Sequence, residues 1–255
     1  SDLTAPQQII AVHPELLEAD HGIGEPHPRV HSALLRERDN RSRDARAVTD
    51  WLQSKGVDVQ RALNLMLLPG PHLKKETVHI EFLLERGADP GWLPPNGISI
   101  LEHALIRYWN GEAVDLIARR VKPNGAFWIA AGLGDVRALH RYFDRNGKIT
   151  EAARRNRPDF MAVGPYPTPM MPNADDLEIM WEAWFVAALN CRFAVMDALL
   201  ERGLPIDYSP WGGALIEMAV GNGQADLVEF LVSRGADVTK AYSSNGPARE
   251  LAETL

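Results

Sequence analysis

Phe82-Leu83-Leu84-Glu85-Arg86-Gly87-Ala88-Asp89 and Phe230-Leu231-Val232-Ser233-Arg234-Gly235-Ala236-Asp237 are two copies of one phrase, far apart in the chain. Trp51-Leu52-Gln53-Ser54-Lys55-Gly56-Val57-Asp58 has the same form, and so has Ala198-Leu199-Leu200-Glu201-Arg202-Gly203. Their glycines at 56 and 87 lie 31 residues apart, and those at 203 and 235 lie 32 apart. Each copy reads as a helix that closes on a basic residue and then glycine. Arg or Lys suits the negative C-terminal end of a helix dipole. Glycine takes the left-handed conformation that ends the helix.

A second element precedes these helices. Gly97-Ile98-Ser99-Ile100-Leu101-Glu102-His103-Ala104-Leu105 aligns position for position with Gly212-Gly213-Ala214-Leu215-Ile216-Glu217-Met218-Ala219-Val220. Ala126-Phe127-Trp128-Ile129-Ala130-Ala131-Gly132-Leu133-Gly134-Asp135 is a third version. Small alanines let this first helix approach its neighbours closely, and the following glycine turns the chain into the second helix. These residues resemble the ankyrin repeat, in divergent copies of bacterial type. The family pattern is Gly-x-Thr-Pro-Leu-His-x-Ala-Ala, a glycine turn, a second helix ending Leu-Leu, and Gly-Ala-Asp. The resemblance implies an all-α ankyrin-repeat solenoid of about six helix pairs, near 28–56, 60–87, 97–120, 124–147, 180–203 and 212–235. It implies a single domain over 1–255, with residues 7–20 as the end of an earlier repeat.

One stretch breaks the period. Gly147 and Gly203 are 56 residues apart, too many for one repeat and too few for two. The excess falls in 148–176, an expected insertion. It contains Gly164-Pro165-Tyr166-Pro167-Thr168-Pro169-Met170-Met171-Pro172. Four prolines there forbid a helix and favour an extended excursion. Insertions in repeat arrays map to loops, often on the binding side.

Composition narrows the function classes. The 255 residues carry 27 Lys and Arg against 34 Asp and Glu, a net charge of −7. A chain that neutralised phosphates would need a basic surplus, so no nucleic-acid partner is expected. No apolar run approaches the ~20 residues that span a bilayer, so no membrane association is expected. The one cysteine, Cys191, leaves no internal disulfide framework and no cysteine zinc site, and a cytoplasmic location is expected. The chain opens on Ser1 rather than Met, which leaves open whether it is a fragment of a longer one.

No motif assigns catalytic residues. Gly132-Leu133-Gly134 and Gly22-Ile23-Gly24 lack the preceding strand that a phosphate loop needs, and no Gly-x-Ser-x-Gly elbow occurs. His13, His21, His27 and His31 cluster near the N-terminus. Pro26 and Pro28 flank His27, and the resemblance makes His31 a structural histidine, so no metal and no cofactor are expected. Glu102 and Glu217 stand where the ankyrin pattern has its histidine, and are expected to cap backbone amides of the adjacent turn.

The aromatic residues are more telling. Trp128 and Trp184 fall on apolar inner-helix positions and are expected in the core. Trp92 and Trp211 align with turns, and Tyr108 and Trp109 follow an inner helix in a lengthened turn. With Tyr166 of the insertion, these are the candidate binding residues, expected as an exposed strip on the turn tips and concave face. Tyr and Trp bring rigid contact area with a polar handle. The expected function is recognition of a protein partner through that surface. A second reading makes the groove a site for a small molecule, binder or enzyme, closed by 148–176 with Glu or His as acid and base.

Overall fold

The structure, a computed structural model, describes residues 28–39, 45–69, 76–163, 173–210 and 215–239. Its regular elements are helices, apart from one isolated antiparallel bridge between Phe143 and Ile149. They form six pairs: α1 (Pro28–Arg38) with α2 (Ala45–Ser54), α3 (Val59–Leu67) with α4 (Thr77–Glu85), and α5 (Ile100–Arg107) with α6 (Gly111–Ala118). Then come α7 (Phe127–Gly132) with α8 (Val136–His140), α11 (Asp176–Leu189) with α12 (Phe193–Leu200), and α13 (Leu215–Gly221) with α14 (Ala225–Ser233). This is the all-α architecture that the repeats imply. The fifth pair starts earlier than its expected 180, because the Asp175 side chain accepts from Glu178 N and caps the helix there. Residues 7–20 lie outside the described residues.

Gly56, Gly87, Gly203 and Gly235 follow second helices with φ of +87°, +100°, +93° and +88°. A Cβ built on Gly87 or Gly235 would meet nothing within 4 Å, so the requirement for glycine there is purely one of backbone. Gly87→Val and Gly235→Val are each expected to cost ~1–3 kcal/mol, the strain of holding a β-branched residue at positive φ. Denaturant midpoints unchanged in both variants would refute this.

The basic residue before each glycine does more than face a dipole. Arg86 bonds Asp50 at 2.7 Å and Glu37 at 3.1 Å, tying the second pair to the first. Arg234 pairs with Asp197 of α12 at 2.7 Å. Arg202 lies over the Phe143 ring at 3.9 Å and meets His140 of α8 at 2.9 Å.

Between the helices of a pair, Trp109, Gly134, Cys191 and Gly223 occupy one equivalent place, all left-handed, with φ of +51°, +76°, +53° and +63°. The side chains just after these turns reach beyond the neighbouring pair. Arg192 donates to Gly132 O at 2.9 Å, to Gly111 O at 3.0 Å and to Asp115 at 2.6 Å. Gln224 donates to Trp109 O at 2.8 Å, and Asn190, one residue before its turn, donates to Leu105 O at 2.8 Å. A Cβ on Gly132 would meet Leu105 at 2.6 Å and Val186 at 2.7 Å. Helices α5, α7 and α11 therefore converge there, and stacking is not confined to nearest neighbours as in a regular solenoid.

The described part of 148–176 packs on these inner helices. Two short helices, α9 (Glu151–Arg154) and α10 (Phe160–Val163), precede the proline run, so the excursion is partly helical. Phe160 stands edge-on to Phe185 at 5.6 Å, and Arg107 donates to Val163 O at 3.1 Å. The Trp128 indole donates to Asn156 O at 2.7 Å. Arg157 enters between Glu178 and Glu182, at 2.9 Å from Glu182 through Nε and 3.2 Å from Glu178.

Candidate functional site

The expected aromatic strip does not form as a set. Tyr108 is fully buried: its N–H bonds Ala104 O at the end of α5, and its hydroxyl donates to Leu67 O. Burial holds that phenol well above its ordinary titration range. Trp109 is 8% exposed, because its left-handed turn folds inward and its carbonyl meets Gln224. Both belong to the core, a correction to their reading as surface residues. Trp92 is half-buried and packs against the core. Trp211 and Tyr166 lie outside the described residues. Trp128 and Trp184 are buried as expected; Trp181, for which no expectation was drawn from sequence, is buried as well, stacked on Phe185 at 5.0 Å.

Glu102 takes the capping role. Its carboxylate accepts from Ser99 N at 3.0 Å and Ser99 Oγ at 2.6 Å, while Ser99 Oγ accepts from Glu102 N at 3.3 Å. This reciprocal box satisfies two amides that the start of α5 would leave open. His103, next in sequence, faces elsewhere, with Nε2 at 3.3 Å from Asn96 Nδ2. Burial lowers its pKa to about 4, Glu102 opposes that and Arg107 adds to it, so the ring is neutral at pH 7. The two side chains form no dyad, and Glu217 is buried. Among the described residues no group of three His, Cys, Asp or Glu could hold a metal ion, and no helix is long and apolar enough to cross a membrane.

An opening lies between two turn fingers, residues 89–97 and 119–126. It is open to solvent, with a volume of about 370 Å³, within the size range of ligand sites. Pro90 and Gly91 line it from the first finger, and Arg120, Lys122 and Asn124 from the second. Leu101 and Ile129 supply apolar surface from α5 and α7, and Ser99 and Glu102 complete the lining. On the first finger, beside half-buried Trp92, Leu93 is 59% exposed.

Sequence reading missed the two cations, although a signal exists. Arg119 ends α6 as Arg86 ends α4. Arg120-Val121-Lys122 thus stands where the other copy has Gly87-Ala88-Asp89. Asp89 accepts from Gly91 N at 2.8 Å and Asp237 from Thr239 N at 2.9 Å, each folding its own turn. Lys122 cannot do this, and Asn124 caps Ala126 N at 3.1 Å instead. A turn-forming acid has been exchanged for an exposed cation.

No family model matches this chain, and no curated protein does. Among solved structures it is similar to the human ASB11 ankyrin repeat domain, with 17% identity over 88% of this chain and 91% of that chain, at a TM-score of 0.33. At that score the architecture rests on the helix pairs and their glycine caps. The human neighbour adds nothing to the bacterial-type reading.

Proposed function

We propose that this chain is a molecular-recognition module, one domain interrupted by 148–176, that binds a protein partner through its turn-finger edge. The observation that carries this reading is the finger 89–97, which sets exposed Leu93 and half-buried Trp92 beside an open, cation-lined pocket. Segment 148–163 already occupies inner-helix surface around Trp128 and Phe185, so the turn tips are favoured over the concave face. Trp211 and Tyr166, outside the described residues, stay in the proposal as binding residues, and the single cysteine supports a cytoplasmic setting. The small-molecule reading gains no support. No described residue of 148–176 lines the pocket, and Glu102 is engaged by Ser99.

Leu93→Asp tests the proposal. Its side chain is exposed enough that the melting temperature is expected to stay unchanged, while affinity for a partner captured by the wild-type chain falls at least ~10-fold, as for a hot spot. A partner set captured equally well by Leu93→Asp sinks the turn-finger reading.

A further inference from the structure

We propose that the pocket between the two fingers is a carboxylate-binding site that receives an Asp or Glu side chain from an extended acidic segment of the protein partner. This rests on the turn-finger reading and specifies what that edge recognises. Two cations, Arg120 and Lys122, line one opening of about 370 Å³. Neither makes an ion pair among the described residues. One Arg120 nitrogen donates to Leu116 O at 3.0 Å, which leaves the rest of its donor fork for a ligand. The carboxylate in the same lining, Glu102, already accepts two bonds from Ser99. The pocket therefore holds two cations against one carboxylate, whose Oε2 is turned to Ser99, a local positive surplus in a chain whose net charge is −7.

A ligand carboxylate entering this lining meets two cations and one carboxylate, so attraction outweighs repulsion. Guanidinium binds a carboxylate through paired donors, and ammonium binds it as a point charge. Leu101 and Ile129, both buried at the same opening, lower the local polarity and strengthen the contact. Exposed Leu93 on the adjoining finger suits an apolar residue flanking the acid. The ligand is thus an acidic stretch carrying aliphatic side chains, not a phosphate backbone.

The probe is a fluorescein-labelled decapeptide of alternating Glu and Leu, read by anisotropy with the full chain, beside the same peptide with Gln for Glu. The Glu peptide is expected to bind at least 10-fold tighter than the Gln peptide and to weaken as salt rises. Lys122→Glu and Arg120→Glu, with the neutral Lys122→Met as a folding-safe companion, are expected to lower its affinity at least 10-fold. Arg145→Glu, an exposed cation on another turn, is expected to stay within two-fold. Equal binding of the two peptides, no binding of the Glu peptide, or an equal loss in Arg145→Glu each overturns the carboxylate site. If captured partner is lost in Leu93→Asp but kept in both charge reversals, the finger edge stands and this site falls. If all three variants keep it, both fall.

Discussion

Arg157→Ala is expected to destabilise the protein by ~3–5 kcal/mol at pH 7, the cost of leaving a buried carboxylate without its partner. The Arg157 side chain is 9% exposed and that of Glu182 only 5%, with Glu178 at 14% closing the other side. Burial pushes the Glu182 carboxyl above the usual carboxylate range, Arg157 pulls it down, and Glu178 raises it further. Removing the guanidinium leaves only the upward influences. A carboxyl raised in the folded state binds a proton there before it does in the unfolded chain, so stability falls as pH rises through the folded pKa. The loss in Arg157→Ala should therefore shrink between pH 7 and pH 5. Adding Glu182→Leu should recover part of it, since the uncompensated charge is then gone. Urea unfolding of the three chains at both pH values is the measurement. A loss under ~1 kcal/mol, or one that grows on acidification, would contradict a buried ion pair at this point.

Trp184→Ala should cost ~3–5 kcal/mol of folding stability through the cavity it leaves. Trp184 is 1% exposed on α11, a helix buried from Ile179 to Leu189. Its indole nitrogen has no hydrogen-bond partner among the described residues. Trp184→Phe should therefore lose much less, because it keeps most of the ring while deleting an unmet buried donor. Equal midpoints for Ala and Phe would show that the site tolerates an empty volume and that the packing is looser than described.

The sequence made the helix pairs legible because their signals are local. Arg-Gly or Lys-Gly at the end of a second helix is a statement about one turn of backbone, and the positive φ values at 56, 87, 203 and 235 follow from it. The Ser99–Glu102 box is equally local, with a spacing of three residues. Tyr108 and Trp109 were misplaced because their burial depends on distant residues. Leu67 accepts the Tyr108 hydroxyl from 41 positions away, and Gln224 reaches Trp109 from 115. Neither partner leaves a mark in the sequence around the turn. Arg86, Arg202 and Arg234 look like helix-end charges in isolation, and only stacking shows that they join neighbouring pairs. Lys122 was readable in principle, as an acid-to-base exchange at one register of the repeat. The exchange shows only when copies are compared for what they lack.

The contacts of Asn190, Arg192 and Gln224 bear on how the protein is made. A helix leaves its last carbonyls without partners of its own. In the third pair, the Leu105 carbonyl at the end of α5 and the Trp109 carbonyl in the turn receive their donors from 85 and 115 positions downstream, and Asp115 receives Arg192 from 77. At about 5–20 residues per second, the ribosome needs on the order of ten seconds to deliver them. Until then only water can meet these groups of the third pair. The middle of this protein is therefore finished last, when its C-terminal third arrives.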